Sequence, residues 1–385
     1  MRILLGISGG IAAYKIPSLL RLLVKNGHHV ETMPTAHALQ FVTPLTLKTL
    51  SKNPVHLPSQ EDVSNHVLLS RGLDLLLIAP ATANIIGKLA HGLAGDSLST
   101  TSLMATCPKL IIPSMHTEMW INPAVQDNIQ RLRQQHISIL GPDTGDLACD
   151  DIGIGRMADP NLIALAVEAH GRLSPLTSLQ GKKILISSGG TQEAIDPVRV
   201  IGNRSSGQLG QMLAHLASFY GAEVTLISTS QPSISNPAIH VVLASSAMQV
   251  QAALSEHFPH TDILLMASAV SDFTLPYQIQ KIKRSSSLTL SLESTPDILA
   301  GLVTRKTTQK IIGFCLSDPS SDLVQIAIEK LHAKGLDAIV ANTTHNLGNP
   351  QREGTFIRKD HTSFAIGPRP ILDFAHAILQ NTVLL

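Results

Sequence analysis

The chain starts a strand, turn and helix with the same short pattern twice, and that repetition limits its fold more than any other feature. Arg2-Ile-Leu-Leu-Gly-Ile-Ser-Gly-Gly10 is echoed by Lys182-Lys-Ile-Leu-Ile-Ser-Ser-Gly-Gly190. Each is an apolar run of strand length that stops at a glycine turn, the form taken by buried parallel strands. Strand-like runs at 30–33, 73–79, 110–113 and 137–140 alternate with helical patterns at 11–26, 83–91, 97–105 and 122–135. After the second turn the alternation resumes, with strands at 224–227, 263–267, 311–314 and 338–341 and helices at 206–220, 247–257, 296–304 and 321–334. This is the rhythm of a doubly wound sheet given twice, which predicts two Rossmann-like α/β domains in tandem.

Asp159-Pro160 supplies a cap and a first-turn proline for a helix over 161–170, which Gly171 is expected to stop. A polar stretch with Pro175 follows, so the expected division is a domain over 1–172, a linker over 173–181 and a second domain over 182–385. The second half also departs from pure alternation. Leu288, Leu290 and Leu292 alternate with polar residues, and 356–358 and 363–366 flank a short turn, which predicts antiparallel additions.

Composition removes several classes of function. A net charge of +1 lacks the basic footprint that nucleic-acid binding needs. The longest apolar run, Leu75–Ala81, contains Pro80 and falls far short of the ~20 residues of a membrane span. Residues 3–7 are too short an apolar run for a secretory signal, so a cytoplasmic location is expected. Cys107, Cys149 and Cys315 are too few and too far apart for a disulfide framework or a CxxC pair.

The first glycine turn offers backbone N–H groups to an anionic phosphate, and Ala79-Pro-Ala-Thr-Ala-Asn84 lies at a strand's C-terminal end, where open α/β sheets bind ligands. His66 alone reads as one ordinary histidine among seventeen. Cys149 sits in the Gly- and Asp-rich stretch 141–159, longer than a connector needs to be and therefore a candidate lid.

These motifs together resemble the flavin-dependent cysteine decarboxylases, and phosphopantothenoylcysteine decarboxylases in particular. The resemblance rests on Gly6-x-Ser-Gly-Gly-Ile-Ala-x-Tyr-Lys15, on Thr35 with Phe41-Val-Thr-Pro44, on 79–84, and on Ala148-Cys-Asp-Asp-Ile-Gly-Ile-Gly-Arg-Met157. It implies a flavodoxin-like domain with FMN lined by Ser8, Gly9, Gly10, Thr35, Ala81 and Thr82. It implies His66 as the active-site histidine, Cys149 as proton donor in the last step, and Met115, His116 and Arg156 as substrate contacts. The family has asparagine where this chain has His116, within Pro113-Ser-Met-His116-Thr-Glu-Met119. An amide and an imidazole offer hydrogen bonds of different geometry, so this position is expected to set the chain apart.

The second half independently resembles phosphopantothenate–cysteine ligases of the CTP-using bacterial type. The residues are Gly189-Gly-Thr-Gln-Glu193, Ile195-Asp-Pro-Val-Arg199, Ile201-x-Asn203-Arg-Ser-Ser-Gly207-x-x-Gly210, Lys281-Ile-Lys-Arg284 and Ala338-Ile-Val-Ala-Asn342. The resemblance implies that Lys281 assists formation of an acyl-cytidylate and that Asn203 assists its conversion to amide. It implies a nucleotide at Ser205, Ser206, Asp272, Lys281, Phe314 and Lys334, with Mg²⁺ at Asp272. Two departures are visible: Gly313-Phe-Cys-Leu-Ser-Asp318 replaces the usual Gly-Phe-x-Ala-Glu-Thr, and Ser268 stands where alanine is common.

Taken in order along the chain, the two resemblances identify it as a member of the bifunctional coenzyme A biosynthesis proteins. They imply 4′-phosphopantothenate, L-cysteine and CTP as substrates, FMN and Mg²⁺ as cofactors, and a homo-oligomer with trimers through the flavin domain and dimers through the ligase domain. Two other readings compete with this one. A regulatory flavin-binding protein with weakened decarboxylase activity would be favoured by loss of His66 and Cys149, and both are present. A nicotinamide oxidoreductase would need GxGxxG, which neither glycine turn supplies.

Overall fold

The structure, a computed structural model, describes residues 1–58, 65–147, 151–174, 176–284, 287–319 and 322–385. The chain divides into two units, the first made of Met1–Ser174 with Ile234–Pro237 and the second of the remainder.

In the first unit, β1 (Arg2–Ile7), β2 (His29–Pro34), β3 (Leu75–Ala81), β4 (Lys109–Pro113) and β5 (Ser138–Ile139) form a parallel sheet of order β2-β1-β3-β4-β5. All seven residues of β3 are buried, because helices cover both faces of the sheet centre. The helices are α1 (Ile16–Lys25), α2 (Pro44–Ser51), α3 (Asn65–Ser70), α4 (Ala83–Ala90), α5 (Ser97–Met104), α6 (Thr117–Trp120), α7 (Pro123–Gln134) and α8 (Pro160–Arg172). Their starts are written in the sequence: Asp96 and Ser99 form a capping box on α5, and Asn122 and Asp159 cap α7 and α8 ahead of a first-turn proline.

Three expectations are corrected here. The helix expected over 11–26 is a 3₁₀ turn, Ile11–Lys15, followed by α1, because Pro17 has no N–H to extend an α-helical ladder upstream. Gly171 does not stop α8, which runs on to Arg172. A Cβ at Gly171 would lie 2.1 Å from Met1 Sδ, so this glycine makes room for the N-terminus. The stretch 141–159 carries an antiparallel hairpin of β6 (Asp143–Asp146) and β7 (Ile152–Arg156) in place of a plain loop; Cys149 lies outside the described residues.

In the second unit, β8 (Lys183–Ser188), β9 (Gln192–Ala194), β10 (Val200–Gly202), β11 (Glu223–Ser228), β12 (Ile239–Leu243), β13 (Ile263–Met266), β14 (Phe273–Thr274), β15 (Glu293–Ser294), β16 (Lys310–Ser317), β17 (Ala338–Thr343), β18 (Gln351–Arg358) and β19 (Ser363–Pro370) follow in sequence. Eight of them make one sheet of order β12-β11-β8-β13-β16-β17-β18-β19. It is parallel as far as β17 and antiparallel through β18 and β19. Its helices are α9 (Gln208–Phe219), α10 (Ala247–His257), α11 (Ile298–Val303), α12 (Leu323–Ala333) and α13 (Ile371–Thr382).

The antiparallel addition expected around Leu288 to Leu292 is absent. Leu288 and Leu292 are exposed, and the extra pairing is instead between β14 and β15, one residue further on. Alternation makes a strand only where a neighbour accepts its hydrogen bonds. Within the stretch expected as a linker, Leu176 and Leu179 are buried and Gly181 N–H donates to Gly221 O at 2.9 Å. Among the described residues no helix is long and apolar enough to cross a membrane.

Gly210 carries α9 onto β8: an added Cβ would meet Ser188 Cβ at 2.6 Å and Ser187 O at 3.0 Å. Backbone cannot yield as a flexible side chain can, so Gly210→Ala should cost about 1–3 kcal/mol, read as a lower urea midpoint. An unchanged midpoint would show that α9 has slack.

Candidate functional site

In a sheet of order 2-1-3-4-5 the connections leave in opposite directions from β1 and β3, and ligands bind in the crevice outside the carboxyl ends of those strands. The first unit has a cavity of about 1100 Å³ there. Ser8, Gly9, Gly10, Thr35, Thr82, Met115, His116 and Arg156, each expected from the sequence, line it together. Ala81 does not: it is fully buried, and its carbonyl accepts from Ser114 N–H at 2.9 Å. His66 belongs to α3.

Ser8 holds the crevice together. Its hydroxyl donates to Pro80 O at 2.8 Å and accepts from Thr82 N–H at 2.9 Å, joining the ends of β1 and β3. That proton is committed inside the protein, so Ser8 shapes the cavity more than it reaches into it. Thr35 accepts from Ala38 N–H at 3.3 Å, and among the described residues its own hydroxyl proton has no acceptor. A Cβ at Gly9 would lie 2.3 Å from His37 Cβ, and one at Gly10 would meet Thr82 Cγ2 at 3.6 Å, filling the space in front of the turn. A phosphate-bearing planar cofactor fits this cradle of glycine backbone, one hydroxyl donor and apolar wall.

His116 caps α6 and sits between two carboxylates, Glu118 at Nδ1 and Asp151 at Nε2, the latter 3.3 Å away. The bond to Glu118, with Asp151 beside it, raises its pKa above the ordinary histidine value and so favours the imidazolium. His37, Ser97 and Lys15 also line the cavity and were missed as contacts from the sequence. Only Lys15 carried a signal, as the last residue of the quoted motif.

In the second unit the order of the sheet reverses at β8, which has β11 on one side and β13 on the other. Of the expected ligase residues, the structure places Asn203 and Ser205 at the carboxyl ends of these strands. Asn203 Nδ2 donates to Ala269 O at 3.3 Å and Val270 O at 3.0 Å, just past β13. A Cβ at Gly190 would lie 2.4 Å from Asn203 O and 3.4 Å from Ser205 Cβ, so this loop rests on the second glycine turn. The helix expected from Ser206 begins at Gln208, because Gly207 takes a left-handed conformation (φ 71°) as its cap. Phe314 is half-buried two residues past the last β16 residue paired with β13. Asp272 and Lys281 are exposed, while Lys334 is held by Asp297 at 3.2 Å.

Asp196 was not singled out from the sequence, although it stands in a quoted motif. Its side chain is buried and accepts from Val198 N–H and Arg199 N–H, both at 2.8 Å, and from Ile282 N–H at 3.1 Å. Arg199 pairs with the same carboxylate and donates to Ile282 O at 3.2 Å. The main chain beside Lys281 is therefore gripped at both its N–H and its carbonyl.

Residues 1–170 match the family described as "Flavoprotein" and residues 179–384 the "DNA/pantothenate metabolism flavoprotein C-terminal domain". The chain is 41% identical over 360 residues to the "Coenzyme A biosynthesis bifunctional protein CoaBC" of Mycobacterium tuberculosis H37Rv, covering 89% of this chain and 85% of that protein. Its likeness to the Mycolicibacterium smegmatis protein of the same name is 38% over 406 residues, covering 99% and 98%. The chain belongs to this family of bifunctional coenzyme A biosynthesis enzymes. Its first unit is the flavoprotein decarboxylase half and its second the ligase half. A solved C-terminal domain of a CoaBC protein is 32% identical with a TM-score of 0.47, covering 54% of this chain and 97% of that one.

Burial alone would raise the Asp196 carboxyl, but the N–H donors and Arg199 outweigh it and lower its pKa from 3.8 to about 2. A carboxylate depressed in the folded state stabilises the fold above its unfolded pKa and ceases to do so as pH falls through the folded one. The parent should therefore lose stability relative to Asp196→Asn between about pH 4 and pH 2, seen as converging urea midpoints. Parallel midpoints over that window would contradict the assignment.

Proposed function

We propose that the second unit joins L-cysteine to 4′-phosphopantothenate using CTP, and that the first then decarboxylates the product to 4′-phosphopantetheine with FMN. The observations that carry this reading are the cavity at the β1/β3 crevice of the flavoprotein-family unit and, in the second unit, the Asn203 loop that rests on the Gly190 turn and bonds to the carbonyls past β13. The regulatory alternative is not favoured, since relatives of both halves carry the bifunctional name over most of their length.

In the ligase half, CTP activates the carboxylate of phosphopantothenate as an acyl-cytidylate with release of pyrophosphate, and the amine of cysteine then displaces CMP. Lys281 supplies positive charge at the α-phosphate, where negative charge develops. Ser205, Ser206, Phe314 and Lys334 are the proposed nucleotide contacts. Asn203, fixed by two backbone carbonyls through its amide nitrogen, presents its oxygen to the acyl group during amide formation. Among the described residues no group of three or more His, Cys, Asp or Glu is placed to hold a metal. Asp272 as a single carboxylate fits a Mg²⁺ that arrives largely on nucleotide phosphates.

In the decarboxylase half, FMN would be held at Gly9, Gly10, Thr35 and Thr82 and would supply two-electron redox chemistry to the cysteinyl thiol. His66 handles the thiol proton, and Cys149 returns a proton to the carbon next to sulfur. Met115, His116 and Arg156 hold the substrate. We also propose a homo-oligomer, trimeric through the flavin half and dimeric through the ligase half, with the halves meeting within 173–181.

The purified protein should be yellow and should lose its colour on FMN extraction. Lys281→Gln should abolish CTP-dependent pyrophosphate release, whereas Asn203→Asp should release pyrophosphate yet form little amide. If both variants formed amide at the parent rate, these roles would fall.

A separate test concerns His116. An asparagine cannot carry the charge that Glu118 and Asp151 favour, but it restores the amide that the family resemblance implies at this position. His116→Asn should retain or raise decarboxylation and His116→Ala should lower it several-fold. An alanine variant equal to the parent would remove His116 from the substrate contacts.

A further inference from the structure

The stretch from Thr191 to Asp196 and the stretch that leaves β13 run alongside each other and are tied at four points. Ser271 N–H donates to Thr191 Oγ1 at 2.8 Å and Thr274 Oγ1 to Glu193 Oε2 at 3.2 Å. Further along, Gln278 N–H donates to Ile195 O at 2.9 Å and Ile282 N–H to Asp196 Oδ2 at 3.1 Å. The ties advance in the same order on both stretches, and two exposed side chains fall between them: Asp272 between the first two ties and Lys281 between the last two.

Lys281 pairs with no carboxylate among the described residues, so its ammonium owes its place to the main chain beneath it. That main chain is held from both sides at the next residue. The acceptor for Ile282 N–H is a buried carboxylate, which makes the bond charge-assisted, and Arg199 takes the carbonyl of the same residue at 3.2 Å. A lysine side chain has four bonds to order when its ammonium is brought to a phosphate. Anchoring the backbone beforehand removes the backbone's share of that loss and narrows the volume the ammonium has to search.

We propose that Asp196 is a positioning residue for the activation step of the ligase, fixing the main chain beside Lys281 so that the ammonium meets the α-phosphate as pyrophosphate leaves. The inference rests on the proposed function of this half and on the role of Lys281 in it. Asp196 has no part in the later attack by cysteine. The residue assigned to that step, Asn203, is held by the carbonyls of Ala269 and Val270, whereas the Asp196 carboxylate bonds to Val198, Arg199 and Ile282. The two steps of one reaction are thus held by two separate sets of bonds.

The test uses Asp196→Asn in the full chain. The amide oxygen can still accept from Val198 N–H and Arg199 N–H and so keep the turn, while an NH₂ group in place of Oδ2 faces Ile282 N–H and the Arg199 guanidinium as donor against donor. Rapid mixing with CTP, Mg²⁺ and 4′-phosphopantetheine's precursor 4′-phosphopantothenate, without cysteine, reads acyl-cytidylate formation as pyrophosphate release. Cysteine added to the accumulated intermediate then reads its conversion to amide. Asp196→Asn should slow the first step at least tenfold at saturating CTP, and should change the second step and the half-saturating CTP concentration less than twofold. Equal slowing of both steps would make Asp196 a general support of the unit and overturn the proposal, as would a first step at the parent rate. So would a first step slowed by Asp196→Asn but untouched by Lys281→Gln. A parent that releases no pyrophosphate from CTP would overturn the ligase reading itself, and the proposal with it.

Discussion

The space at the two glycine turns is the constraint on which both halves depend. At Gly9 and at Gly190 no Cβ can be placed without meeting a neighbour at 2.3 or 2.4 Å. What occupies that space is backbone or near-backbone: His37 in the first half, and the Asn203 carbonyl in the second. The close approach brings a second loop over each strand end and turns a sheet edge into a site. In the first half Ser8 then secures the arrangement by bridging Pro80 and Thr82; in the second, Asn203 does so by reaching the carbonyls after β13.

Much of this was legible in the sequence, because the signals are local. Apolar runs of strand length mark β1, β3, β8 and β13, with glycine turns closing β1 and β8, and capping residues mark α5, α7 and α8 to within a residue or two. What escaped depended on distant partners. Nothing local distinguishes a Gly171 that ends a helix from one that admits Met1, or tells Leu288 and Leu292 that no strand lies beside them. The strand β12 was missed although its partner β11 was seen, and α13 was missed at the far end of the chain.

The candidate sites divide in the same way. Residues that stand inside a glycine motif, such as Ser8, Gly10 and Asn203, announced themselves. Asp196 and Lys15 stood in quoted motifs too, yet their surroundings include Ile282 and Arg156, more than 80 and 140 positions away. The contrast between them is electrostatic. Asp196 is surrounded by donors that satisfy its charge, and it acts as a fastener; Lys15 lines the first unit's cavity, where burial and Arg156 lower its pKa while Asp159 and Asp143 raise it.

The grip of Asp196 and Arg199 on residue 282 is made entirely to main-chain atoms. The side chain between Lys281 and Lys283 therefore takes no part in holding them, and its identity is left to other demands. One residue type is incompatible with the grip: proline, which has no N–H to give the buried carboxylate and would leave that charge short of a donor. The spacing of the two lysines around an interchangeable centre is thus a property of how the backbone is held.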